Sequence, residues 1–165
     1  MNYENIEASK RKLTLPNSHF VSGDVYTSKN VFDKEKAKIF FKKWHFICHE
    51  SEVFSKFDFR TTSFLGQPII IIRGSDNKVR GFLNVCSHRG AKIIHSPSGN
   101  SKKLTCFYHL WTYDDKGECI NIPRETGYDS VNLKKRDCGL TRIRTEVFMG
   151  MIFISFDKNS SSLEE

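Results

Sequence analysis

The sequence predicts an all-β domain, built from small antiparallel sheets or a sandwich and preceded by one N-terminal helix. Three observations predict it. With 165 residues, the chain has room for one ordinary domain. After residue 44, short apolar runs rich in Ile, Phe, Val and Thr follow one another, and residues of the turn-forming types separate them. Only one segment before these runs has a helical period.

The elements follow in order along the chain. Residues 1–30 are polar and predict an extended arm, and residues 31–44 predict the helix because Phe32, Phe40, Phe41 and Trp44 share one face. Such an aromatic stripe is typical of core packing. Residues 45–156 form the predicted β domain, and residues 157–165, rich in Ser and charge, predict a linker or tail. The predicted strands are 45–48, 59–65, 68–73, 79–85, 103–107, 111–113, 118–122, 141–148 and 151–156.

Composition excludes several functions. The net charge of +7 comes from 26 Lys and Arg against 19 Asp and Glu, scattered in ones and twos, which indicates a solvated surface and no nucleic-acid partner. No apolar stretch reaches the length of a membrane span, and the first residues lack the apolar region of a secretory signal. We therefore expect a cytoplasmic protein with no membrane partner, in which the five cysteines are reduced.

Two short segments pair cysteine with histidine. Cys86 and His88 form a C-x-H segment, and Cys106 and His109 form a C-x-x-H segment, with 17 residues between His88 and Cys106. Each segment directly follows an apolar run, so both are predicted to lie in loops at strand ends. Such loops can be placed side by side with their ligands facing each other.

Two kinds of centre can use these four side chains. Two thiolates and two imidazoles bind a single tetrahedral zinc ion, or they hold a [2Fe-2S] cluster in which histidine replaces cysteine on one iron. Zinc fingers usually carry both cysteines on one knuckle and both histidines on another. Here each loop carries one of each, which favours Cys86 and Cys106 on one iron and His88 and His109 on the other. A zinc-stabilised structural or interaction module with the same ligands remains the alternative.

The segments CSHRG at 86–90 and C-x-Y-H-x-W-x-Y at 106–113 resemble the Rieske domain of aromatic-ring-hydroxylating oxygenase large (alpha) subunits. The resemblance extends over most of the chain and implies a Rieske-type fold with a [2Fe-2S] cluster. It implies single-electron transfer from a ferredoxin or flavin reductase to a mononuclear iron in a second domain. We expect Arg89, Tyr108 and Trp111 to surround the cluster and tune it. The sequence departs from the family at Phe107, where proline is usual, and at Leu110, where glycine is usual.

The remaining residues do not supply an oxygen-activating site. His19, His45, His49 and His95 show no pattern of two histidines and a carboxylate, so we expect the C-terminal catalytic iron domain to be absent and no catalytic residue to be present. The chain is then only the electron-transfer part of an oxidoreductase, and its sequence does not identify the substrate of the associated oxygenase. Cys48, Cys119 and Cys138 have no partner at ligand spacing and are predicted to be small buried apolar residues.

Overall fold

A computed structural model of the chain describes residues 21–164. Within that range lie two α-helices, α1 (Asp24–Thr27) and α2 (Lys29–Lys38), and four 3-10 turns, at Phe40–Lys42, Glu50–Val53, Glu125–Val131 and Lys135–Asp137. The strands that follow are β1 (His45–His49), β2 (Asp58–Phe64), β3 (Gln67–Arg73), β4 (Val79–Leu83), β5 (Ser98–Asn100), β6 (Leu104–Thr105), β7 (Thr112–Tyr113), β8 (Cys119–Asn121), β9 (Arg142–Phe148) and β10 (Met151–Ser155). Most of the predicted N-terminal arm, residues 1–20, lies outside the described residues.

The N-terminal helix is shorter than the predicted range 31–44. Helix α2 ends at Lys38, and a 3-10 turn follows at Phe40–Lys42. The helix buries none of its residues, and its aromatic stripe lies at the surface rather than in the core. The C-terminal end of the stripe contacts the rest of the described chain. Phe41 packs edge-on against Phe156 at 5.3 Å, and the Trp44 indole N–H donates to the carbonyl of Ser161 at 3.0 Å.

The strands confirm the predicted all-β class. Seven of them form one antiparallel sheet in the order β1-β10-β9-β4-β3-β2-β5, and β6, β7 and β8 form a small three-stranded sheet. Each run predicted from the sequence overlaps one observed strand. In the part of the chain described here, no helix is long and apolar enough to cross a membrane.

Strand β5 is the element that the sequence does not predict, because Ser98–Asn100 has the composition of a turn; all three residues are exposed. It pairs at the sheet edge with β2, where Gly99 lies opposite Phe59. A Cβ on Gly99 would come within 2.8 Å of the Phe59 ring. Glycine is therefore needed here for the close approach of the edge strand to an aromatic ring.

The centre of the fold is β3, which is buried on both faces. Its four consecutive isoleucines, residues 69–72, have no exposed surface. Because neighbouring side chains of a strand point to opposite faces, Ile69 and Ile71 pack into one apolar cluster while Ile70 and Ile72 pack into another. The second of these clusters contains Cys86 and Cys106, so one face of β3 supports the predicted ligand loops.

The cysteines outside the two motifs are buried, as the sequence predicts. Cys48, Cys119 and Cys138 are between 1% and 6% exposed. Burial raises the pKa of all three thiols, so they remain protonated at neutral pH. They act as small apolar residues of the core.

Candidate metal centre

The first ligand loop begins just after β4 and closes in a tight turn. The amide of Cys86 donates to the carbonyl of Ala91 at 2.8 Å, and the amide of Gly90 donates back to the carbonyl of Cys86 at 2.9 Å. Gly90 has a φ of +71°, in the left-handed region that glycine adopts without steric cost. The turn places His88 at its tip and leaves Cys86 in the core.

The second loop, between β6 and β7, repeats this pattern. The amide of Cys106 donates to the carbonyl of Trp111 at 2.9 Å, and the amide of Leu110 donates to the carbonyl of Cys106 at 3.0 Å. Leu110 takes the position of Gly90 and adopts a φ of +60°, which costs a residue with a side chain about 1–2 kcal/mol. The side chains of Leu110 and Phe107, the two departures from the family pattern, point outward and are 56% and 64% exposed.

The two thiols lie together in the core. Cys86 is 4% exposed and Cys106 is 1% exposed. Burial raises the pKa of the Cys106 thiol, and a hydrogen bond with Cys86 raises it further, while the amides of Tyr108 and His109 donate to its sulfur and lower it. The loop therefore already aims two N–H groups at a sulfur that would carry negative charge as a ligand.

The two imidazoles form a second pair. The rings of His88 and His109 lie 4.5 Å apart, at 73° to each other. Trp111 stacks on His88 at 4.7 Å, nearly parallel, and the hydroxyl of Tyr128 lies 3.4 Å from its Nε2 atom. Burial, followed by the neighbouring His109 and Arg89, lowers the pKa of His88, which favours the neutral imidazole that binds metals.

The state of one nitrogen of the His88 ring indicates whether a metal centre fits between the two loops. The Nδ1 atom of His88 is buried and has no hydrogen-bond partner among residues 21–164. A buried nitrogen without a partner is costly, whereas a bond to a metal would satisfy it. Two buried thiols beside two imidazoles are the ligand types of a mixed Cys/His iron–sulfur site, so the residues fit the predicted group. Across the described residues, no set of three or more His, Cys, Asp or Glu could hold one metal ion.

Tyr113 is a site residue that the sequence analysis missed. Its hydroxyl lies 3.2 Å from the Cys86 sulfur and accepts a hydrogen bond from the Ser87 amide at 3.1 Å. Burial and the Cys86 sulfur raise the pKa of Tyr113 far above its usual range, so the hydroxyl keeps its proton. A deprotonated Cys86 sulfur could then only accept the hydrogen bond that this hydroxyl donates. The signal for Tyr113 was the two-residue alternation that places it on the same side as the buried Trp111.

Replacing Tyr113 with phenylalanine is expected to lower the reduction potential of the bound cluster. In the wild-type protein, the hydrogen bond from Tyr113 to Cys86 stabilises the more negative reduced state. Its loss would remove about 1 kcal/mol of this stabilisation, which corresponds to roughly 40 mV for one electron. Tyr108→Phe is the matched control, since it removes an exposed hydroxyl while keeping the loop amides. A redox titration in which both variants match the wild-type protein would contradict this role for Tyr113.

Asn84 holds the first loop in place. Its side chain has no exposed surface. The amide oxygen accepts from the backbone N–H groups of Ile93 and Ile94 at 3.0 and 2.9 Å, and the amide nitrogen donates to the Ile94 carbonyl at 2.8 Å. Because Asn84 lies two residues before Cys86, this contact ties the start of the loop to the segment that follows it.

Asn84→Ala is therefore expected to destabilise the fold. It would leave the buried amide of Ile93 and the part-buried amide and carbonyl of Ile94 without partners, at a cost of about 3 kcal/mol in the free energy of unfolding. For a chain of this size, that corresponds to a melting temperature roughly 6–12 °C lower. The exposed Asn121→Ala should change stability by less than about 0.5 kcal/mol. Equal melting temperatures for the two variants would show that the Asn84 contacts do not stabilise the fold.

The residues expected to surround the site have different roles. Trp111 is 3% exposed and lies against His88. The exposed Tyr108 ring lies 3.8 Å from the ring of His109, and Arg89 is exposed next to His88. His45 and His49, for which no metal role is predicted, form hydrogen bonds with Phe40 and with Ser51 respectively.

The curled antiparallel sheets and the two facing Cys/His turns define a small all-β iron–sulfur domain. The model of the Rieske [2Fe-2S] domain family matches residues 43–135, and the chain belongs to this family. The resemblance inferred from the two motifs is thus confirmed, and the family's cofactor is a [2Fe-2S] cluster.

Known relatives are oxygenase subunits. The chain is 42% identical over 152 residues to 2-aminobenzenesulfonate 2,3-dioxygenase subunit alpha of Alcaligenes sp, which covers 92% of this chain. It is 46% identical over 162 residues to the alpha subunit of the methanesulfonate monooxygenase hydroxylase of Methylosulfonomonas methylovora, again with 92% of this chain covered. The chain spans 39% of the length of each.

Solved structures agree. A naphthalene 1,2-dioxygenase variant bound to phenanthrene superposes with a TM-score of 0.80 at 32% identity, over 85% of this chain and 32% of that one. A quaternary ammonium Rieske monooxygenase superposes with the same score at 35% identity, over 86% of this chain and 39% of that one. The described fold is thus that of the Rieske part of such oxygenases.

Proposed function

We propose that this chain is a single-electron carrier and that Cys86 and Cys106 hold one iron of its cluster while His88 and His109 hold the other. The observation that carries the proposal is the sorting of the four side chains into a buried thiol pair and an imidazole pair on two facing turns. The buried Nδ1 atom of His88, without a partner in residues 21–164, supports it. We assign the domain itself to residues 45–156.

When bound, a [2Fe-2S] cluster accepts and releases one electron. Hydrogen-bond donors next to the two sulfurs would stabilise the negative charge that the added electron brings. The amides of Tyr108 and His109 donate to the Cys106 sulfur, and the Tyr113 hydroxyl can donate to the Cys86 sulfur. Trp111 stacks on the His88 ring and Tyr128 lies edge-on to it, and these two contacts hold His88 in place. Neutral imidazoles on one side leave the site less negative than four thiolates would, which raises its potential.

The electron would come from a ferredoxin or flavin reductase and pass to a mononuclear iron that activates oxygen. The dioxygenase and monooxygenase alpha subunits among the relatives support this direction of flow. The acceptor iron belongs to an oxygenase domain or chain outside the residues described here. We place the exchange in the cytoplasm, a reducing compartment in which the buried, unpaired thiols of Cys48, Cys119 and Cys138 stay reduced.

A coulometric redox titration of anaerobically purified protein tests the proposal. We expect uptake of one electron per chain, with a midpoint between about −150 and +300 mV. A protein that takes up no electron and contains one zinc ion per chain would instead be the zinc-stabilised structural or interaction module.

A further inference from the structure

The two imidazoles of the site differ in their surroundings. The hydroxyl of Tyr128 lies 3.4 Å from the Nε2 atom of His88. Neither ring nitrogen of His109 has a hydrogen-bond partner among residues 21–164, although the exposed ring of Tyr108 lies against it. Tyr128 therefore gives one of the two proposed histidine ligands a polar contact that the other lacks.

The ring of His88 is held by two aromatic neighbours. Trp111 is 3% exposed and stacks on His88 with ring centroids 4.7 Å apart and an angle of 4°, which fixes the plane of the imidazole. Tyr128 lies edge-on to both rings, at 88° to His88 and at 86° to Trp111. The three rings thus form one packed unit that joins the two ligand loops to the segment after β8.

Stacking alone does not determine which nitrogen of His88 faces the site. A half-turn of the imidazole about its bond to the Cβ atom keeps the plane and the stacking, but it exchanges each nitrogen with a carbon. In the turned ring, the Tyr128 hydroxyl would meet a C–H group. In the structure, Nε2 faces Tyr128, while Nδ1 is buried and has no partner among residues 21–164. The contact with Tyr128 thus selects the orientation in which Nδ1 can bind a metal.

The direction of this hydrogen bond follows from the chemistry of imidazole. A neutral imidazole that binds a metal through one nitrogen carries its proton on the other. With Nδ1 as the ligand atom, Nε2 of His88 donates and the Tyr128 oxygen accepts. An acceptor at the outer nitrogen fixes the ring and makes the imidazole a stronger electron donor to the metal. It therefore stabilises the oxidised, more positive state of the site and opposes reduction.

The backbone is strained on both sides of the turn that carries Tyr128. This 3-10 turn spans Glu125–Val131, and the residues that flank it, Arg124 and Asn132, adopt left-handed conformations with φ of +54° and +49°. Such a conformation is sterically unfavourable for a residue with a side chain, and it occurs mostly where surrounding contacts impose it, often at functional sites. The strain thus frames the turn that brings Tyr128 to a residue 40 positions away.

From these features we infer that Tyr128 is a positioning residue for the cluster, an inference that rests on the proposed function. Its hydroxyl accepts the Nε2 proton of His88, holds the ring with Nδ1 inward and strengthens this imidazole as a ligand. Its effect on the potential is opposite to that of Tyr113, whose hydroxyl donates toward the Cys86 sulfur and favours the reduced state.

Redox titration and iron release from the cluster-loaded protein test this inference. Tyr128→Phe removes the hydroxyl and keeps the ring that packs against His88 and Trp111. We expect this variant to favour reduction about threefold more than the wild-type protein, which raises the potential by roughly 30 mV at about 59 mV per tenfold change. It should also release iron to a chelator about tenfold faster, because a lost partner of a metal-binding histidine weakens metal affinity.

Tyr108→Phe is the matched control, since it removes an exposed hydroxyl beside the other imidazole and should leave both measurements unchanged. Tyr113→Phe, titrated in the same series, should shift the potential downward.

Two outcomes would overturn the inference. A potential of Tyr128→Phe equal to or below that of the wild-type protein would show that the hydroxyl does not act on His88, and faster iron release would then reflect packing alone. Equal upward shifts in Tyr128→Phe and Tyr108→Phe would show that the effect is not specific to the Nε2 contact. A wild-type protein without a cluster spectrum would instead refute the proposed function.

Discussion

Replacing Cys86 with serine is expected to abolish cluster binding and to destabilise the protein by at least about 4 kcal/mol. Cys86 is buried in the same apolar cluster as Cys106, Trp111 and Tyr113. In a small domain, the free energy of binding a metal centre is part of the free energy of folding. Loss of the centre should therefore lower the melting temperature by roughly 10 °C or more. Iron and sulfide analysis, the visible spectrum and thermal unfolding measure the effect.

Cys48→Ser is the control for this experiment. Cys48 is also buried, at 1% exposed against 4% for Cys86, but it packs in the other apolar cluster, away from the two loops. We expect the Cys48→Ser variant to be somewhat less stable than the wild-type protein and to keep its full iron content. If Cys86→Ser purified with as much iron and sulfide as Cys48→Ser, Cys86 could not be a ligand.

Replacing His109 with cysteine should lower the reduction potential by roughly 200 mV or more, if the cluster is retained. A thiolate adds a negative charge to the site, so the reduced state is disfavoured. His109 is a cleaner position than His88, because its ring borders an open groove whereas His88 is packed between Trp111 and Tyr128. His88→Cys should change the potential in the same direction, but with an added loss of packing.

The matched control is His95→Cys, which places a thiol at an exposed position next to Phe107. That variant should keep the wild-type potential, because its new sulfur is not predicted to be a ligand. Protein-film voltammetry of the wild-type protein, His109→Cys and His95→Cys compares their potentials directly. An unchanged potential in a His109→Cys variant that keeps its iron would remove His109 from the ligand set.

The strands could be predicted from the sequence because their signals are local. Runs such as Gln67–Arg73 have a β-branched, apolar composition, and turn residues bound them on each side. Ser98–Asn100 lacks both signals and forms a strand only because the edge of β2 is free to pair with it. The helix end was also not predicted correctly: the aromatic stripe continues to Trp44, whereas α2 ends at Lys38 and buries none of its residues.

The four proposed ligands were also predicted from local spacing, whereas the residues that support them were not. Tyr113 reaches Cys86 across 27 positions of sequence, and Tyr128 reaches His88 across 40. Asn84 bridges to Ile94 in the same way. Such contacts depend on how the loops are brought together in space. The alternation of residues 111–113 places Tyr113 on the inner side of its strand, but it does not indicate which residue Tyr113 meets there.

Pulsed EPR of the reduced protein, grown with ¹⁵N-labelled histidine, tests the central claim most directly. The account predicts a one-electron-reduced [2Fe-2S] signal that is coupled to two directly bonded histidine nitrogens, one of which is lost in His109→Cys. A signal without nitrogen coupling, or a colourless protein with no signal after oxygen-free preparation, would contradict it.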